Sequence, residues 1–287
     1  MFNEKYLKIT KNIYTDIKKV EAELFSLFEN KTFLREKINL FLKQPSKRIR
    51  STLAILLLKA NNIKITQEHY KFLSIIELIH NASLIHDDII DNSDLRREVK
   101  TLNCEFDNHL AVIVGDYLLS IALKEISSIE AKNLSSLLAQ TLEQMCLGEF
   151  CQYFNKHKHL TLEQHIEKTY QKTGKLFQTT LDGCFDISQV QEQQNIQEFV
   201  KNFGIIFQLH NDFINSTTSK SDFNEGIFTA LDIFTKETNS KDLGIEKTKC
   251  LINNYIEKSK KLLEEIEQNK YKSLLIELLE LFKYEQI

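Results

Sequence analysis

Apolar residues recur at intervals of three and four along nearly the whole chain, the spacing that gathers them on one face of an α-helix. The pattern predicts helices near residues 4–29, 32–43, 47–61, 67–92, 108–126, 131–152, 162–187, 195–215, 225–237, 245–268 and 270–283. One proline and seven glycines in 287 residues leave few breakers for the many turns of a sheet protein. The expected fold class is therefore all-α. No Pro/Gly/Ser-rich linker, low-complexity tract or fixed-period repeat divides the chain, so residues 1–287 are expected to form a single domain.

Charge narrows the function classes. A formal net charge of −3 provides no basic field, which argues against a nucleic-acid partner. The five cysteines have neither metal-ligand nor disulfide-framework spacing, as suits a reducing compartment. The N-terminus lacks the apolar stretch of a secretory signal. No window approaches the roughly 18 uninterrupted apolar residues of a membrane span; Asp116 interrupts the best candidate, Leu110–Leu123. A soluble, cytoplasmic protein without a transmembrane segment is expected.

The strongest chemical signal is His86–Arg97, HDDIIDNSDLRR. On a helix, Asp87 and Asp91 stand at i and i+4 and point to one side. Two acids so close repel, and a divalent cation resolves the conflict. Hard oxygen ligands suit Mg2+, whose shell is usually completed by water and substrate phosphate. Arg96 and Arg97 would add the cationic half of a diphosphate clamp. A solvated charged face is the competing explanation, but the apolar run Phe72–Ile85 leads directly into the acids. Ile76, His80, Ser83, Asp87 and Asp91 form one stripe of this helix, and an isolated histidine there reads first as a hydrogen-bonded core residue. Ala82 and Ser83, the smallest residues of a bulky stretch, fit either close helix packing or room for a long apolar ligand. Lys47, Arg48 and Arg50 open the helix near 47–61, where the macrodipole disfavours cations; a solvated basic turn and an anion site both remain open. Further on, Lys172-Thr173-Gly174-Lys175 interrupts a helical pattern. Gln208 precedes Asn211-Asp212-Phe213-Ile214-Asn215, which repeats the first acid spacing with amides in place of two acids.

Taken together, these segments resemble the trans-type polyprenyl diphosphate synthases, in particular medium- and long-chain members. IELIHNASLIHDDIIDNSDLRR followed by AVIVGDYLLS carries most of the likeness. SKRIRS resembles the family's GGKRxRP, KTGKLF its KTAxLF, and FQLHNDFIN its FQxxDDxxD. The resemblance implies a bundle of antiparallel helices around a deep central cavity, usually as a homodimer, and a condensation of isopentenyl diphosphate with an allylic prenyl diphosphate. It also implies that Asp87 and Asp91, supported by Asp88, bind Mg2+ on the allylic diphosphate, with Arg96 contacting that diphosphate. By the same likeness, Lys47, Arg50, His80 and Arg97 hold isopentenyl diphosphate, and Lys172, Thr173 and Gln208 line the reacting centre. In this family, aromatic residues four and five positions before the first Asp limit product length. Ser83 and Ala82 stand there, roughly 6–7.5 Å down the helix axis, so a medium- or long-chain product is expected.

Some positions depart from the pattern. Asn211 and Asn215 replace acids beside Asp212, so a third metal ion held by Asp212 and Asn211 should bind weakly. In DFNEGIFTAL, Ile227 replaces a lysine and Leu231 a proline of the family's DLxEGKxTLP; Pro45-Ser46 stands for Gly-Gly and Glu98 for Gly. These departures keep open a weakly active or non-catalytic subunit that modulates a partner in a heteromeric synthase. A class I terpene cyclase is a more remote alternative, because it needs no second diphosphate pocket.

Overall fold

The computed structural model describes residues 2–28, 46–96, 99–191, 193–218 and 226–285. The helix expected near 32–43, Arg97 and Glu98 lie outside them. The elements are α1 (Phe2–Lys11), α2 (Tyr14–Ser26), α3 (Ile49–Ala60), α4 (Gln67–Ile90), β1 (Leu95–Arg96), β2 (Val99–Lys100), α5 (Leu102–Glu105), α6 (Asn108–Ile126) and α7 (Leu134–Phe154). There follow α8 (Leu162–Thr169), a π-helical turn (Tyr170–Gly174), α9 (Lys175–Ser188), α10 (Gln194–Thr218), α11 (Ala230–Thr238), α12 (Lys241–Leu262) and α13 (Lys270–Glu280). The two short strands form an antiparallel ribbon, with Leu95 opposite Lys100.

Two helices are buried on nearly every side and form the axis of the bundle. In α3, Ile55, Leu56, Leu57 and Leu58 are all inaccessible; in α4, so are Leu73, Ile75, Ile76, Leu78 and Ile79. A helix apolar all round is a core helix. α4 packs against α2, α6 and α9. The two ends of the described chain meet, with the Phe2 and Phe282 rings 5.5 Å apart. Phe282 also packs edge-on against Phe203 of α10 at 5.7 Å.

Several helix starts carry side-chain caps. Thr66, Thr161 and Thr229 open α4, α8 and α11 as capping boxes, and Asp107 caps α6 by accepting from Leu110 N at 2.7 Å. Two expected helices are divided. The span 4–29 breaks at Asn12-Ile13, where Asn12 Nδ2 donates to the Lys8 carbonyl at 2.9 Å and competes with the helical ladder. The span 162–187 breaks at the π turn.

Candidate active site

The acids end α4 in a fixed geometry. Asp91 is the C-cap and Asn92 takes the left-handed conformation, φ 47°. Ser93 N donates to the Asp88 carbonyl at 2.8 Å and Asn92 N to the Ile89 carbonyl at 3.2 Å, a Schellman closure. Thr101 Oγ1 and Asn103 Nδ2 both bond the Ser93 carbonyl, at 2.7 and 3.1 Å, and so hold the exit strand. Carboxylates at a helix C-terminus oppose the macrodipole, so local stability does not explain their position.

The acids then divide. Asp88, about 100° round the helix from Asp87, is buried and takes Arg96 in a forked pair, Nε to Oδ1 and Oδ2 at 2.8 and 3.0 Å and Nη2 to Oδ1 at 2.7 Å. Both carboxylate oxygens accept from Arg96, so Asp88 anchors that arginine. Asp87 and Asp91 face a different set of charges. Burial lifts Asp87 from 3.8 to about 6; Lys172 opposes the rise, while Glu149 and Asp91 reinforce it. Asp91 is raised by burial too, again against Lys172 and with Glu149. Lys172 Nζ sits 2.6 Å from Glu149 Oε2. Burial works against the lysine's charge, but Asp87 and Glu149 outweigh it and hold Lys172 above its ordinary value.

Glycines let the π turn that carries Lys172 and Thr173 fit between two helices. A Cβ on Gly148 of α7 would lie 2.8 Å from Lys172 N, and one on Gly204 of α10 would lie 2.7 Å from Gly174 Cα. Neither approach is open to a larger residue without movement. From this turn Thr173 Oγ1 donates to Gln208 Oε1 at 3.0 Å, and Gln208 Nε2 donates to Asp212 Oδ1 at 2.6 Å. Three residues from two sequence motifs thus form one relay. Beneath it His165 is fully buried, its Nε2 3.8 Å from Asp212 Oδ2. Burial, with Lys168 adding, drives the imidazole down to about 3, so it is neutral.

The basic turn before α3 is split as well. Arg48, in the left-handed region at φ 49°, is buried with Nη1 3.4 Å from Glu77 Oε2. Arg50 lies 4.7 Å over the Phe177 ring, and among the described residues its buried Nε has no hydrogen-bond partner. Burial lowers this guanidinium to about 10, with Glu77 opposing the change. Lys47 is exposed, its Nζ 4.2 Å over the Phe2 ring. Its charge is the second cause, after burial, that lowers His210 to about 4, and His210 bonds Asn211. The basic turn therefore adjoins the amide-bearing motif. His80 and Ser83 are half-buried on α4, Ser83 Oγ donates to the His80 carbonyl at 2.9 Å, and Ala82 is inaccessible.

The family model described as polyprenyl synthetase matches residues 31–272. The chain belongs to the polyprenyl synthetase family. Two relatives illustrate the likeness. A decaprenyl-diphosphate synthase of Dictyostelium discoideum is 34% identical over 181 residues, 62% of this chain and 40% of that protein. A prenyl transferase of Synechocystis sp. is 31% identical over 204 residues, 67% and 63% of the two chains. The chain thus spans about two fifths to two thirds of the length of these curated relatives. In fold it is similar to the crystal structure of a decaprenyl diphosphate synthase from Rhodobacter capsulatus, with a TM-score of 0.88, 19% identity and coverage of 96% and 98%. The expected all-α isoprenoid-synthase architecture is the one observed.

Glu149 and His165 of this site belong to none of the sequence motifs. Gly148-Glu149 carried a signal: a glycine inside a 21-residue helix costs stability and asks for a packing reason. His165 had no such signal, since a histidine on a helix face is ordinary in sequence.

Proposed function

We propose that this chain is a Mg2+-dependent prenyltransferase that condenses isopentenyl diphosphate with an allylic prenyl diphosphate and releases a medium- or long-chain polyprenyl diphosphate. The observation that carries the reading is the pair Asp87 and Asp91, one helical turn apart, sharing the charges of Lys172 and Glu149.

The donor set fits Mg2+. Burial makes the Asp87 and Asp91 carboxylates costly to ionise without a cation. Among the described residues no three His, Cys, Asp or Glu side chains converge into a complete cage. Two carboxylates completed by substrate oxygens is the coordination Mg2+ accepts in diphosphate sites. When bound, the ion would offset charge building on the departing diphosphate. Asp212 with Asn211 would add a weaker site.

The chain's own groups supply the rest. Lys172, and Arg96 held by Asp88, bring positive charge to the leaving diphosphate. Thr173 and Gln208, locked in the relay, line the reacting centre. Lys47, Arg50, His80 and Arg97 would hold isopentenyl diphosphate; the unpartnered, buried Nε of Arg50 supports an anionic ligand there. The isopentenyl double bond attacks the allylic cation, a proton is lost to the released diphosphate, and the chain gains five carbons. No side-chain nucleophile is required.

Self-association is supported by apolar side chains left exposed on α6 and α7, including Ile113, Phe150 and Phe154. All five cysteines are free thiols, which supports a reducing compartment such as the cytoplasm. No described helix is long and apolar enough to cross a membrane.

The deciding experiment incubates the purified chain with Mg2+, farnesyl diphosphate and labelled isopentenyl diphosphate, and separates products by length. A ladder ending at a long chain is expected. No incorporation, with diphosphate binding retained in calorimetry, would assign the modulatory-subunit role instead.

A further inference from the structure

Lys47 is the exposed member of the basic turn, and two residues of the first helix meet it at its two ends. Phe2 and Tyr6 stand at i and i+4 on α1, so their rings share one face, with centroids 6.2 Å apart and planes inclined by 17°. Tyr6 Oη donates to the Lys47 carbonyl at 2.5 Å and so fixes the main chain of the lysine. That bond uses the phenol's one proton, so the buried Thr52 hydroxyl, 2.8 Å away, donates to Tyr6 Oη. Phe2 meets the side chain instead: Lys47 Nζ lies 4.2 Å over its ring.

The backbone here needs such support. Arg48, next to Lys47, is left-handed at φ 49°, a conformation that a bulky residue adopts only when its surroundings impose it. Arg48 N donates to Ser46 Oγ at 3.4 Å, and Thr52 N donates to the Arg48 carbonyl at 2.8 Å. The Phe2 ring is anchored in turn. Its centroid lies 5.5 Å from that of Phe282 and 6.1 Å from that of His210, the residue before Asn211 on α10. Phe2 thus ties Lys47 to the helix of the amide-bearing motif.

An exposed lysine samples many rotamers, and fixing one of them against a phosphate costs conformational entropy. A carboxylate partner would hold the ammonium but offset the charge that an incoming anion needs. An aromatic face holds it through the ring quadrupole and leaves the charge intact. Phe2 lies outside every motif that carries the family likeness.

We propose that Phe2 is a positioning residue for Lys47, its ring holding the ammonium ready for the diphosphate of isopentenyl diphosphate. The inference rests on the role that the prenyltransferase reading gives to Lys47, and it adds to that reading a residue of the first helix. Tyr6 secures the backbone of the same lysine, so the side chain moves about a fixed point.

The test titrates the full chain calorimetrically in Mg2+ buffer with isopentenyl diphosphate and, separately, with farnesyl diphosphate. Phe2→Leu keeps the apolar bulk but removes the ring. It should weaken isopentenyl diphosphate about fivefold and leave farnesyl diphosphate within about twofold of wild type. Phe2→Tyr restores an aromatic face and should bind as the wild type does. Lys47→Gln should weaken isopentenyl diphosphate by itself, and Phe2→Leu should add nothing in that background, because the ring acts through the ammonium. Wild-type affinity in Phe2→Leu would overturn the inference and leave the prenyltransferase reading standing. Equal losses for both probes, or a loss that adds to that of Lys47→Gln, would also overturn it, since the ring would then only support the fold. So would an unaffected Lys47→Gln. A wild-type chain that does not bind isopentenyl diphosphate would remove the reading and the inference together.

Discussion

Lys172 Nζ and Glu149 Oε2 are 2.6 Å apart, although one belongs to the π turn and the other to α7. The contact exists because Gly148 lets α7 approach the backbone of that turn. It places a charged lysine beside two carboxylates that burial would otherwise leave under-compensated. Glu149 thereby acts as a positioning residue for Lys172.

Glu149→Gln keeps the shape and removes the charge. Loss of a charge-assisted partner is worth ~1.5–3 kcal/mol, so kcat should fall about tenfold or more, with KM for the allylic substrate changing less. Lys172 would remain in place but less firmly oriented. Equal kinetics in mutant and wild type would reduce the pair to packing.

Replacing both Asp87 and Asp91 by Ala should abolish turnover and leave the helical circular dichroism intact. The Schellman closure uses backbone groups, so the end of α4 does not depend on these side chains. Undiminished turnover would remove the first acid motif from the mechanism.

Asp87 makes a pH-dependent contribution with a definite sign. Its carboxyl titrates near 6 in the folded chain and near 3.8 when unperturbed. Between those values the folded state holds the extra proton, so stability falls as pH rises through the window. Asp87→Asn, measured by thermal melts in EDTA, should therefore be more stable than wild type above pH 6 and indistinguishable below pH 3.8. A variant stabilised only at low pH would contradict this environment for Asp87.

For product length, Ser83 is a better probe than Ala82. Ala82 is inaccessible, and forcing a phenyl ring there overpacks the core at a cost of ~1–3 kcal/mol. Ser83 is half-buried on the Asp87 stripe, so Ser83→Phe should shorten the product ladder without unfolding the chain. An unchanged ladder would show that the growing tail does not pass that face.

Glu77 is a stability determinant apart from the chemistry. Buried within α4, it accepts from Ser51 Oγ at 2.7 Å and pairs with Arg48 at 3.4 Å. Glu77→Ala removes the nearer carboxylate from a buried guanidinium, leaving Glu21 3.9 Å from Arg48 Nε, and should cost ~1.5–3 kcal/mol, read by chemical denaturation. A loss below ~1 kcal/mol would mean that water reaches Arg48.

The amino-acid sequence by itself determined the all-α class, most helix spans and the acid pair at the end of α4. These depend on windows of a few residues, where i to i+4 spacing and local capping decide the outcome. The break at Asn12-Ile13 escaped that reading because apolar spacing runs on across it, and the π turn because a one-residue widening barely disturbs the period. Tertiary structure decided the rest. It gave Asp88 to Arg96, joined Thr173 to Gln208 and Asp212, set Glu149 against Lys172 and buried His165 beneath Asp212. Apart from Asp88–Arg96, eight residues apart, and the Gln208–Asp212 step within α10, those pairings join residues distant in the chain, and each depends on which helix faces can approach closely enough for a polar contact. Packing at glycine contacts controls that approach, and local periodicity carries no record of it.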